Sequence, residues 1–330
     1  MNSEIFFIGF IILIALAFDF INGFHDAANS IATVVSTRVL KPQHAVMWAA
    51  FFNFIAFIFF ETKVAKTIGN GMADPSVIDA RVILASLVGA IIWGLFTWYY
   101  GIPSSSSHSL VGGLVGAVVT KAGTSSLLWE GLGKTLISII LSPILGMTFG
   151  VFLMSLTYWL VRRYTPREID GWFRKLQFVS ATLVSLGHGG NDAQKTMGII
   201  TILLFSSGYM KSDNFHVPFW VIIICQLAMG LGTLMGGWRI VKTMGSGITK
   251  LKPIGGFSAE TAGAITLFMA THLGIPVSTT HTLTGSIVGV GMVGSSHAVR
   301  WGIASRIIWA WILTIPAAAV MSSIVWFLVK

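Results

Sequence analysis

Residues Gly187–Gly198, GHGGNDAQKTMG, place His188, Asn191, Asp192, Gln194, Lys195 and Thr196 inside an otherwise apolar stretch. Carboxylate and amide oxygens are hard ligands, suited to Na⁺ or to a proton relay. Lys195 can balance Asp192 locally or attract an anion. A second set, Asn22, His25, Asp26 and Asn29, offers the same chemistry near the start of the chain. A third consists of two hydroxyl runs behind prolines, Ser104, Ser105, Ser106 and Ser107 after Pro103, and Ser278, Thr279 and Thr280 after Pro276. Each run precedes a glycine-rich segment that reads as a helix. A helix N-terminus presents free N–H groups and a positive dipole end, so two such ends facing each other make a cage for a small oxyanion. The simpler alternative is that each serine caps its own helix, which would not require the motif twice.

Other chemistries are poorly served. His108 and His281 repeat, but no cysteine or third histidine stands at zinc-ligand spacing, so hydrogen bonding is expected of them and no metal other than Na⁺. No nucleophile elbow surrounds the repeated serines, and no phosphate-binding G-x-x-x-x-G-K-[ST] loop is present, which argues against a hydrolase and against ATP-driven work. The one cysteine, Cys225, lies in an apolar run and excludes a disulfide framework. No cofactor is implied.

The elements that position these groups are membrane helices. The 330 residues are 54% hydrophobic and 10% charged, against about 25% charged in soluble domains. That leaves room for about ten spans of roughly 20 residues and no soluble domain. The first apolar segment lacks a basic leader and a small-residue cleavage site, so it reads as a retained helix. Four glycines in 187–198, each costing about 1 kcal/mol in a helix, predict an interruption there at membrane depth. The net charge of +9 fits basic loops facing a cytoplasm and anionic lipid, with no nucleic-acid partner.

The chain also repeats itself. His25-Asp26-Ala27 aligns with Asn191-Asp192-Ala193, VAKTIGNG at 64–71 with IVKTMGSG at 240–247, and GIPSSSSHSLVGG at 101–113 with GIPVSTTHTLTGS at 274–286. Three matches in one order at similar offsets define a duplication. The expected division is a first membrane repeat at 1–161, a basic linker at 162–175 and a second repeat at 176–330. Five crossings per repeat invert the second against the first and put both termini on one side. With the linker cytoplasmic, Arg38, Lys41, the linker bases, Arg239, Lys242, Lys250, Lys252, Arg300 and Arg306 lie inside, outnumbering Lys63, Lys66, Arg81, Lys121, Lys134, Lys211 and Lys330 outside. The predicted fold is therefore an all-α polytopic membrane protein with two inverted-topology repeats. Interrupted helices or re-entrant hairpins surround its mid-membrane site, as in secondary transporters. Glu61 and Glu260 stand at predicted span edges, where a solvated helix-end charge and a functional acid are both open readings.

FDFINGFHDAANSIAT at 18–33, HGGNDAQKTMGI at 188–199 and GIPVSTTHTLTGSIVG at 274–289 resemble the signatures of the inorganic phosphate transporter (PiT) family, over nearly the whole chain. The resemblance implies cation-coupled symport of phosphate by alternating access in the cell membrane, with Na⁺ or H⁺ as coupling ion. It implies that Asp26 and Asp192 are essential and that Asn22, Asn29 and Asn191 accompany them in cation sites. It further implies functional roles for His188, Glu61 and Glu260, and a phosphate-binding role for Ser105, Ser106, Thr279 and Thr280. The short linker resembles a compact prokaryotic form. Some members move sulfate, so a sulfate permease on the same scaffold is the alternative. A metal–phosphate complex as cargo and a homo-oligomeric assembly stay open.

Overall fold

The computed structural model describes residues 2–210 and 215–330; Lys211, counted above on the outer side, lies outside them. Among the described residues there is no strand, only an isolated bridge between Ala73 and Leu127. The first half contains α1 (Asn2–His25), α2 (Ala27–Ser36), α3 (Pro42–Ile55), α4 (Lys63–Asn70), α5 (Ala80–Tyr99), α6 (Ser106–Ala122) and α7 (Trp129–Val161). The second contains α8 (Pro166–Ser206), α9 (Phe219–Met235), α10 (Trp238–Lys242) with a π-helical turn Thr243–Gly247, α11 (Pro253–His272), α12 (Thr279–Gly294) and α13 (Trp301–Val329).

The duplication read from the sequence appears as reciprocal packing. α1 packs on α9 and its counterpart α8 on α3; α5 packs on α13 and α11 on α7; α6 packs on α13 and α12 on α7. The inversion is visible where the two signature segments meet. Thr37 Oγ1 donates to Gln177 Oε1 at 2.9 Å, Ser30 Oγ lies 3.3 Å from His188 Nδ1, and Asp26 lies beside Asp192. Residue numbers rise on α2 as they fall on α8, so equivalent segments run antiparallel.

The expected interruption at 187–198 is not there. α8 runs unbroken for 41 residues through all of GHGGNDAQKTMG, and every residue from Val184 to Leu203 is buried. The glycines serve close packing instead. A Cβ on Gly189 would come within 2.7 Å of the Asn53 Cα, and one on Gly190 would enter the Phe60 ring. Their intrinsic cost in a helix is offset by this approach of α3 and its extension. In the first repeat the helix pauses for one residue at Asp26, between α1 and α2.

The real breaks lie elsewhere. α5–α6 and α11–α12 are helical hairpins whose tips are the repeated GIP segments. Gly101 and Gly274 open these tips at φ 66° and 69°, a left-handed backbone that glycine adopts without strain. Two further breaks bend the chain by 83° between Pro42–Ile58 and Lys63–Gly69, and by 62° between Phe219–Met235 and Trp238–Gly247. By length and composition four helical stretches are long and apolar enough to cross a membrane, and six if each bent pair is one span. The expectation of about ten counted the hairpin helices and α8, but α6 and α12 are only 17 and 16 residues long. The segment 162–175 is mostly helix: a turn ends at Thr165, which caps α8 in a reciprocal arrangement with Glu168. Those hydrogen bonds from Thr165 hold the Glu168 carboxyl below its usual range.

Candidate functional site

The hairpin tips meet the signature segments in a buried polar core, and the contacts there obey the repeat. Ser105 Oγ accepts from His108 N at 3.3 Å and Ser278 Oγ from His281 N at 3.2 Å, so these equivalent hydroxyls do cap α6 and α12. The next residue in each run reaches an aspartate: Ser106 Oγ donates to Asp26 Oδ2 at 2.8 Å, and Thr279 Oγ1 to Asp192 Oδ2 at 3.0 Å. The residue after that takes a hydrogen bond from the partner signature. Asn29 Nδ2 donates to Thr280 Oγ1 at 3.0 Å, and to Thr279 Oγ1 at the same distance, while Lys195 Nζ donates to Ser107 Oγ. The flanking residues His25 and Asn191 each reach a threonine near the end of the preceding helix, His25 Nε2 lying 3.1 Å from Thr97 Oγ1 and Asn191 Nδ2 donating to Thr271 Oγ1 at 2.9 Å, one position off exact equivalence.

Charge breaks this symmetry. Lys195 stands where the first repeat has Asn29. Fully buried, it pairs with Asp192 Oδ1 and also donates to Val277 O at 3.0 Å, so it joins the second signature to both tips. Asp26 is held instead by His25 Nδ1 at 2.6 Å. His188 Nε2 lies 3.2 Å from Asp192 Oδ2 but is poorly aligned for a hydrogen bond. One donor atom from each of Asp26, His188 and Asp192 lies within 4.8 Å of the other two. Ser104 donates to Thr97 Oγ1 at 2.8 Å, behind the first tip. His108 and His281 face each other edge-to-face with ring centroids 4.4 Å apart, and His281 stacks on Trp311.

Two predicted acids fall outside this core. Glu260 is not at a span edge but fully buried in the middle of α11, accepting from Thr33 Oγ1 at 2.5 Å, from Gln177 Nε2 at 2.9 Å and from Ser180. It ties α2 to α8 and α11. Glu61 is exposed, 3.1 Å from Lys63, and only its carbonyl reaches inward, accepting from Gln194 Nε2 at 2.9 Å. The Asn22 side chain is buried with neither end of its amide in a well-aligned hydrogen bond among the described residues. Sequence reasoning missed Ser30, Thr33, Asn53, Gln177 and Ser180, which complete these networks. Asn53 and Gln177 were visible as lone amides in the apolar runs FFNFIAF and LQFV.

Two inverted helical repeats close on a buried core of hydroxyls, carboxylates and one lysine, in a chain whose apolar helices are long enough to cross a membrane. The chain belongs to the phosphate transporter family, whose profile matches residues 22–322. It is therefore a transport protein and not an enzyme. It is 62% identical to a probable low-affinity inorganic phosphate transporter of Rhizobium meliloti, over 96% of this chain and 95% of that one. A Bacillus subtilis protein of the same description is 46% identical over 97% and 96%. The fold matches a solved structure described as the sodium-dependent phosphate transporter at TM-score 0.89, covering 98% of each chain at 22% identity. Nothing in these comparisons supports the sulfate alternative.

Proposed function

We propose that the protein carries inorganic phosphate across the cell membrane by Na⁺-coupled symport with alternating access. The observation that carries this reading is the pairing of the anion-binding hydroxyls with the coupling acids: Ser106 donates to Asp26, and Thr279 to Asp192. Two carboxylates face one lysine ammonium in this core. A phosphate anion added alone would deepen a buried negative charge, at a cost of several kcal/mol. A cation bound to Asp26 and Asp192 removes that obstacle and replaces the hydroxyl protons as partners of the carboxylates. Ser106 and Thr279 are then free to donate to phosphate oxygens, together with Ser107, Thr280 and the N–H groups at the starts of α6 and α12. Cation and anion thereby enter as a set. Asn29 and Asn191, whose amide oxygens are unpartnered among the described residues, supply further oxygens, and Lys195 supplies positive charge to the anion. The names of the phosphate-transporting relatives and of the sodium-dependent structural neighbour support the cargo and the ion. Exchange of conformation between the inverted halves would open the core to either side.

The test is radiolabelled phosphate uptake into proteoliposomes with Na⁺ and pH gradients imposed separately. A Na⁺ gradient is expected to drive accumulation; a pH gradient alone doing so would assign the proton. In binding measurements Ser106→Ala and Thr279→Val are each expected to weaken phosphate affinity by roughly ten- to a hundred-fold, the worth of one hydrogen bond to a charged ligand. The two need not add, since both groups contact one ligand. Unchanged affinity in both variants would remove the tips from the anion site.

We place the chain in the inner membrane with the 162–175 segment cytoplasmic and both termini outside. Single cysteines introduced there, in a Cys225→Ala background, are expected to resist a membrane-impermeant thiol reagent in intact cells. Ready labelling from outside would reverse the orientation.

A further inference from the structure

Asp19 is an acid that the site above does not use. It lies seven residues before Asp26 on α1, about 10 Å along the helix axis. It is fully buried, and Asn22 and Thr196 stand beside its carboxylate without closing a well-aligned hydrogen bond to it. That is a costly arrangement for an ionised group. Its surroundings share the defect. Asn22, one turn away on the same face, has neither end of its amide in a well-aligned hydrogen bond, nor does the Thr196 hydroxyl on α8 make one. Asn22 and Thr196 flank the Asp19 carboxylate, and Asp192 and Lys195 are near enough to act on it electrostatically. On α9, Cys225 lies within reach of the Asp19 charge. Its neighbour Gln226 anchors its amide nitrogen on Gly189 O at 3.4 Å while its Oε1 is unpartnered.

We propose that Asp19, Asn22 and Thr196 form a further Na⁺ site, distinct from the Asp26–Asp192 pair, with Gln226 as an outer oxygen donor. A proton would neutralise the carboxylate but add a single donor, which can satisfy only one of the surrounding oxygens. A single hard cation takes several oxygens at once. The site has no counterpart in the second repeat. There Ser185 occupies the equivalent position and donates to Ala181 O within its own helix. Next to Asp192, the added cation raises the positive charge available to the anion. The proposal rests on the symport reading for its purpose, but its test does not.

The experiment is ²²Na⁺ binding to the purified full-length protein by equilibrium dialysis, without phosphate. Asp19→Asn is expected to bind one Na⁺ per chain fewer than the unsubstituted protein. Thr196→Val, which keeps shape and removes one ligand, is expected to keep the count and weaken that Na⁺ roughly tenfold. It carries the test if Asp19→Asn does not fold. Undiminished Na⁺ stoichiometry in Asp19→Asn, or undiminished affinity in Thr196→Val, overturns the site. So does the absence of any Na⁺ binding by the unsubstituted protein. In that last case phosphate uptake driven by a pH gradient would leave symport standing with a different ion, whereas the absence of all driven uptake would remove both readings.

Discussion

Asp192→Asn is expected to reduce gradient-driven phosphate uptake to background while the protein still inserts and elutes as a single species. The amide keeps the volume of the carboxylate and still accepts from Thr279, but it carries no charge to bind the coupling ion. It also leaves Lys195 buried with hydrogen bonds to Ser107 and Val277 O but no carboxylate in contact. Two defects are therefore predicted, one in coupling and one in stability. Normal gradient-driven uptake by this variant would refute the coupling role of Asp192.

Lys195→Met is expected to be the most destabilising single change in the core. Removing one partner of a buried ion pair strands the other, at a cost of about 3–5 kcal/mol. Here Asp192 would keep Thr279 as donor, and Ser107 would lose the lysine's hydrogen bond. A fall in the thermal midpoint in detergent and loss of phosphate binding are the expected readings. The double variant Asp192→Asn with Lys195→Met separates the two roles of the pair. It is expected to recover much of the lost stability, because no uncompensated charge remains, and none of the transport. A double variant no more stable than either single one would show that the pair contributes little as a pair.

The hairpin tips were the most legible part of the site, because the repeated GIP and hydroxyl runs fix a glycine at positive φ and a capping residue in both halves. The local ion pair of Lys195 with Asp192 was one of the two readings that the sequence left open. Two readings went astray for one physical reason. Helix propensity predicted a break at Gly187–Gly198, and hydropathy placed Glu260 at a span edge. Both are local quantities, and both were overridden by neighbours distant in sequence: Asn53 and Phe60 pressed against the glycines, and Thr33, Gln177 and Ser180 gathered around the glutamate. Glu61, to which the resemblance gave a functional role, turns its side chain outward beside Lys63, and only its carbonyl reaches the interior.

The unbroken course of α8 bears on how the protein is assembled in the bilayer. Inserting Asp or Lys at the centre of a lone helix costs about 2.5–3.5 kcal/mol each, and α8 carries both, together with His188, Asn191 and Gln194, where lipid would be deepest. It is accordingly absent from the stretches apolar enough to enter lipid unaided, while the Glu4–Ser36 stretch, α5, α7 and α13 qualify. During synthesis the first half emerges before α8, already holding Asn53, Ser30 and the Ser107 tip that receive its polar residues. The earlier repeat is therefore expected to act as an intramolecular insertion scaffold for the later one. The second half expressed alone is expected to leave α8 unintegrated, and co-expression of the first half to restore it.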